Sequence, residues 1–176
     1  MPTDFSSEEF KKALAELEEE GDRAAAIVGG SIIESFLEKG ILMRLLPLSP
    51  ALRESIFSGY GPLSSMSAKI DISFALGLFG DHVRIDLHHI RRVRNEFAHH
   101  PNRDFNHPNI AKWCEPLETI ERAENPTEGV PANLKNRIRF IQAVHLICGL
   151  IITEAVSHPS RPHQSTWKPI APKAIR

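Results

Sequence analysis

Between Asp81 and His99, the side chains Val83, Leu87, Ile90, Arg94 and Phe97 step by 4, 3, 4 and 3 positions. At 3.6 residues per turn this spacing lays all five along one face of a helix. Four are apolar and one is a guanidinium. Gly80 precedes the pattern and Pro101 follows it, so a helix is predicted over 81–99. No segment of convincing length alternates apolar and polar residues with period two, so strands are not expected. A chain whose apolar residues recur only at helical intervals must bury helix against helix. The fold class predicted is all-α, a compact antiparallel helical bundle of about five main helices.

The other helices follow from the same reasoning. Ser6 and Glu9 form a capping-box pattern that opens a helix through Phe10, Leu14 and Leu17, closed by Gly21. A longer helix is predicted over 22–46, with Val28, Ile32, Phe36, Leu37, Ile41 and Leu45 as its buried stripe. Gly29-Gly30 inside it implies close approach of a neighbouring helix, because each glycine costs a helix about 1 kcal/mol relative to alanine. Pro47 and Pro50 interrupt the chain, and a short helix is predicted over 51–57. Ser58-Gly59-Tyr60-Gly61-Pro62 reads as a turn. A helix over 65–79 is then expected, capped by a serine and closed by Gly80. A polar connection spans 101–131, with a short helix around Trp113. The last long helix is predicted over 131–156, with Leu134, Ile138, Ile141, His145, Cys148 and Ile152 on its buried face.

Residues 1–157 are therefore read as a single helical domain, and residues 158–176 as a proline-rich basic tail. The length of 176 residues suits one domain, and 41% hydrophobic residues suit a globular core. A formal net charge of −1 does not indicate a uniformly basic nucleic-acid binder. The charge is uneven. Residues 1–22 hold eight acids and two lysines, whereas 159–176 hold four basic residues and no acid. The two cysteines, Cys114 and Cys148, lack metal-binding spacing and are expected to be buried and reduced. The amino-terminal residues lack an apolar signal region. The longest apolar stretch, around 144–152, is shorter than the roughly 20 residues a membrane span requires. The expectation is a cytoplasmic protein with no membrane association, no cofactor and no metal.

The chemistry concentrates near one segment. His82, His88, His89, His99, His100 and His107 are six of the nine histidines, and five arginines accompany them between Arg84 and Arg103. Arginine holds anions and histidine moves protons near neutral pH. Arg91, Arg94, Asn95, His99 and His100 are the candidate binding residues. A guanidinium on an apolar seam needs a partner. Glu34, a set of backbone carbonyls, or an anion in a cleft would each serve. Asn95 and His99 share a face, while Arg94 and His99 diverge by about 140° at 100° per residue. Three readings stay open for Arg94 and His99: a structural ion pair with a helix-terminal histidine, a partner- or anion-binding surface, and a phosphodiester-cleaving pair. In the third, Arg94 clamps phosphate and His99 is the acid–base. His82, Asp86 and His89 lie on one helix face, read as solvated rather than metal-binding. His145 is read as a satisfied core histidine. Trp113 is assigned to packing and Trp167 to a tail anchor. No helix-turn-helix or basic recognition helix is visible.

The segment Arg94-Asn95-Glu96-Phe97-Ala98-His99 resembles the Arg-x4–6-His motif of HEPN domains. Members of that class are helical bundles, many of them metal-independent ribonucleases or toxins acting as dimers. A broader resemblance runs from about residue 32 to residue 100. Ser58 through Ser65, Ser67-Ala68-Lys69-Ile70, Ala75-Leu76-Gly77-Leu78 and Ile90 through His99 resemble the mannitol operon repressor (MltR) family in order and spacing. This resemblance implies a helical regulatory domain, a homodimer, and repression through a regulatory protein partner as readily as through DNA. The HEPN likeness implies, as the alternative, a ribonuclease or RNA-binding toxin component using Arg94 and His99.

Overall fold

The computed structural model describes residue 17, residues 19–117 and residues 127–158. The capping box at Ser6 and the tail beyond His158 lie outside the described residues. Within them are six helices: α1 Asp22–Arg44, α2 Pro50–Phe57, α3 Met66–Ala75, α4 Asp81–His99, α5 Pro108–Cys114 and α6 Ala132–Ser157. No strand occurs among the described residues.

Local chemistry sets the ends. Ser49 Oγ accepts from Leu52 N at 3.3 Å, and Pro50 starts α2 where its missing N–H costs nothing. Ser65 Oγ accepts from Ala68 N at 3.2 Å and opens α3. α3 stops at Ala75, short of the expected Phe79. Gly77 takes φ +72°, and the bonds Gly77 N to Phe74 O and Leu78 N to Ser73 O form a Schellman terminator. The periodicity continued past this point, but Gly77 rather than Gly80 ends the helix. α4 begins and ends where its flanking Gly80 and Pro101 placed it.

α1 is the central helix. Its buried residues are Ala25, Ala26, Gly29, Gly30, Ile33, Phe36, Leu37, Gly40 and Ile41. The expected stripe was rotated too far, since Val28 is 37% exposed and Ile32 only half-buried. The glycines explain the difference. A Cβ on Gly29 would stand 3.0 Å from the Phe140 ring, one on Gly40 3.0 Å from Ile151, and one on Gly30 2.6 Å from Arg94 Cγ. α6 and α4 thus press against α1 where side chains are missing, and the small residues face inward.

The contacts also give direction. Asp22 pairs with Arg137, Gly29 meets Phe140 and Val144, Gly40 meets Ile151, and Arg44 pairs with Glu154. α1 and α6 therefore run parallel. α4 runs against α1, because Arg23 bonds to Phe97 O while Gly30 packs on Arg94. The α6 residues facing the core are Phe140, Ala143, Val144, Ile147, Cys148 and Ile151. Leu134, expected inside, is 42% exposed. Beyond Phe140 apolar residues lie on both faces of α6, Leu146 and Leu150 outside and Ile147 and Ile151 inside, so periodicity alone did not choose its face; the glycines of α1 receive the buried one. By length and composition α6 could cross a membrane, although the apolar stretch expected around 144–152 is short for one; 44% of its most apolar window is buried in the bundle.

Phe97, Phe105 and Phe140 form the aromatic centre of this end of the core. Ring centroids lie 5.0 and 5.3 Å apart along that series, and all three rings are fully buried. Phe105 N donates to Asp22 Oδ2 at 3.2 Å, and Asn136 Nδ2 donates to Phe105 O at 3.2 Å. The loop after α4 is thereby tied to the starts of α1 and α6. Cys114 and Cys148 are buried and unpaired, as expected, and burial pushes the Cys114 thiol up to about 12.

Candidate functional site

The candidate residues lie along the last three turns of α4 and its C-cap His100, where that helix meets the start of α1. Arg94 is half-buried. Its stem covers Gly30, which leaves the guanidinium at the edge of the seam rather than inside the core. Val93 takes the fully buried position beside it. The expected partner Glu34 is engaged elsewhere, with Lys69 Nζ at 3.0 Å. Arg94 Nη1 instead donates to Asn95 Oδ1 at 3.1 Å. Among the described residues no carboxylate pairs with Arg94.

Asn95 is half-buried, and His99 and His100 are exposed. α4 is regular through His99, so the Asn95 and His99 side chains share a face four residues apart. Asn95 draws the guanidinium towards the face that carries His99. No hydrogen bond joins Arg94 to His99 directly among the described residues. Arg91 is half-buried, and its Nε is covered without a hydrogen-bond partner. The structure therefore couples Arg94 to Asn95 and leaves His99 and His100 open to solvent.

Further residues complete this end. Arg23 Nε donates to Phe97 O at 3.2 Å and satisfies a carbonyl of the last turn of α4. Glu96 forms an ion pair with Arg103 and accepts from Asn109 Nδ2 at 3.3 Å, which fastens the loop behind the site. A hollow of about 620 Å³ opens beside these groups, lined by Gly21, Asp22, Arg23, Ile27, Pro101 and Arg103, among others. Arg103 was visible as part of the basic segment. Arg23 was not, because it lies 74 positions from Phe97 and only helix pairing brings them together.

The remaining candidates divide. Asp86 is 1% exposed and faces inward, so the His82–Asp86–His89 face is not the solvated surface expected. Among the described residues no group of three or more His, Cys, Asp or Glu side chains could hold a metal ion. Burial lowers the affinity of His89 for a proton, and Arg92 lowers it further against the opposing effect of Asp86. His88 is likewise held low, by burial first, although Asp71 at 3.3 Å opposes this. His145 is half-buried with Nε2 covered and unpartnered, not satisfied as expected. Trp113 packs against the core, with Lys112 Nζ 4.6 Å from its ring.

No protein-family profile and no curated protein matches the chain. Among solved structures it is similar to a possible transcriptional regulator, YggD from Shigella flexneri. The TM-score is 0.62 at 12% identity, covering 82% of this chain and 98% of that one. At that identity the likeness is one of fold: both chains are built on the same helical arrangement.

Proposed function

We propose that this chain is a regulatory helical domain of the mannitol operon repressor type, acting by contact with a protein or anionic partner. The contact surface is the end of α4 with Arg91, Arg94, Asn95, His99 and His100. One observation carries the reading. Arg94 is held in place by Gly30 and Asn95, yet no carboxylate neutralises it among the described residues. A positioned guanidinium with an amide as its only hydrogen-bond partner among the described residues, next to two exposed imidazoles, suits a carboxylate or phosphate group on a partner. The fold shared with a possible regulator supports the regulatory class. A homodimer and a cytoplasmic working place belong to the same proposal.

The test is affinity capture from lysate of the native cells, comparing the wild-type chain with His100→Glu and Arg91→Glu. The expected outcome is loss of a specific partner in both variants with unchanged thermal stability. Equal capture by all three proteins would remove this surface from the proposal.

The ribonuclease reading is favoured by one feature, the bond that turns Arg94 towards the face of His99. It requires Arg94 to clamp a phosphodiester while His99 transfers a proton. It expects cleavage of single-stranded RNA that survives EDTA and disappears in His99→Ala. RNA left intact at high protein concentration rejects it.

A further inference from the structure

The hollow beside the end of α4 combines two kinds of side chain, and together they restrict what can dock there. Its volume is about 620 Å³. Ile27, Val28 and Pro101 give it an apolar part, and Arg23 and Arg103 bring guanidiniums to its lining.

The charges at this end do not cancel inside the chain. Asp22, the carboxylate in the lining, is bonded by Arg137 at 2.9 Å and by Phe105 N at 3.2 Å. Arg103 is paired with Glu96. Arg23 is different. It is exposed, and its one hydrogen bond among the described residues runs from Nε to Phe97 O at 3.2 Å. Its Nη groups meet no carboxylate among the described residues. Arg94 is in the same condition, with the amide of Asn95 as its partner. Arg91 has its Nε covered without a partner. Three arginines here carry positive charge that no acid balances among the described residues.

The helix sets their spacing. Arg23, Ile27 and Gly30 fall on one face of α1, and the Arg94 stem lies on Gly30. Seven residues at a rise of about 1.5 Å put the Arg23 and Gly30 positions about 10 Å apart along α1. Ile27 lies between them, and Val28 beside it is 37% exposed. Two guanidiniums on either side of an uncovered aliphatic patch match two carboxylates that flank an apolar side chain. An acidic peptide presents that pattern. A single nucleic-acid strand offers phosphates too, but it gains further affinity by stacking bases on aromatic faces. Among the described residues no aromatic side chain lines the hollow.

We infer that the partner segment is an acidic peptide with an apolar anchor. Its aliphatic side chain enters the hollow against Ile27 and Val28, and acids on either side meet Arg23 and Arg94. This rests on the reading of the Arg94 surface given above, extends that surface onto α1 and names the chemistry of its partner.

The test is fluorescence anisotropy on the full chain with a fluorescein-labelled twelve-residue peptide that repeats Glu-Glu-Leu-Glu. Saturable one-to-one binding that weakens with added salt is expected. A counterpart with Gln for every Glu, and another with Ser for every Leu, should each bind about tenfold more weakly or worse. Arg23→Gln and Val28→Glu should each lower affinity for the original peptide about tenfold. Val28 lies outside the core, so Val28→Glu should leave the midpoint of thermal unfolding unchanged. Absence of saturable binding, equal affinity for either counterpart, or unchanged affinity in both variants would overturn the inference. Tighter binding of a twelve-nucleotide oligouridine than of the peptide would give the surface to a phosphodiester strand and equally overturn it. Arg91→Glu separates this inference from the reading beneath it. Loss of the peptide in Arg91→Glu but in neither Arg23→Gln nor Val28→Glu removes the hollow and keeps the Arg94 surface. Loss in Arg23→Gln and Val28→Glu with full binding in Arg91→Glu keeps the hollow and overturns the function proposed for the Arg94 surface.

Discussion

At the scale of single residues, Arg94 and Gly30 behave as one unit. The arginine stem occupies the space a Cβ on Gly30 would need, with Cγ 2.6 Å from that position and Cβ 3.0 Å. These atoms belong to the rigid root of the side chain, so they cannot swing aside. Gly30→Ala is expected to lower stability by about 1–2 kcal/mol, as overpacking exceeds the gain in helix propensity. Thermal unfolding checks this, and Arg94→Ala in the same background should restore part of the loss. The half-buried histidines make a second statement at this scale. His88 and His89 have folded-state proton affinities below the ordinary value of 6.5. The unfolded chain therefore binds protons first, and the stability these groups contribute is present above 6.5 and declines as pH falls below it. A midpoint of thermal unfolding that drops on mild acidification, with a shallower drop in His89→Gln, is the expected result. The identity of Arg94 as an arginine among apolar residues was legible in the sequence, because a charge on an apolar stripe stands out. Its partner was not legible. Glu34 was chemically suitable, but Lys69 claims it, and a linear pattern does not rank two cations for one acid.

At the scale of elements, boundaries were legible where a breaker coincided with the end of a periodic stripe. α4 has Gly80 and Pro101 at its flanks and needed nothing more. α3 shows the opposite case, because Leu78 continues the apolar rhythm of Ile70 and Phe74 after the helix has ended. Leu78 is buried anyway, at 1% exposure, through the turn that Gly77 makes possible. Gly77→Ala forces a side chain into φ +72° and is expected to cost about 1 kcal/mol, seen as a fall of roughly 2–4 °C in the unfolding midpoint. The faces of α1 and α6 were right at Phe36, Leu37, Ile41, Ile141 and Cys148 and misjudged at Val28 and Leu134, for one shared reason. Periodicity finds large apolar residues, and here the contact surface of the central helix is made by small ones. Val28 is large and exposed; Gly29 and Gly30 are small and buried.

At the scale of the whole molecule, the all-helical bundle could be inferred from periodicity, whereas the assembly of the site depended on contacts between distant segments. Phe105 is the clearest case. It lies in a polar connection with no periodic neighbours, yet it is fully buried between Phe97 and Phe140 and bonded through its backbone to Asp22 and Asn136. Phe105→Ala is expected to cost about 3–5 kcal/mol, because it opens a cavity where α1, α4 and α6 converge. A denaturant midpoint near that of the wild type would show that the aromatic centre is dispensable.

The shared direction of α1 and α6 has an electrostatic consequence. Each helix carries about half a positive elementary charge at its start and half a negative one at its finish. The starts of α1 and α6 meet at Asp22 and Arg137, beside the finish of α4. Two positive poles therefore stand against one negative pole near Arg23 and Arg94. The effect is confined to the terminal turns, where the Asp22 carboxylate and the carbonyl end of α4 meet the two positive poles inside the bundle.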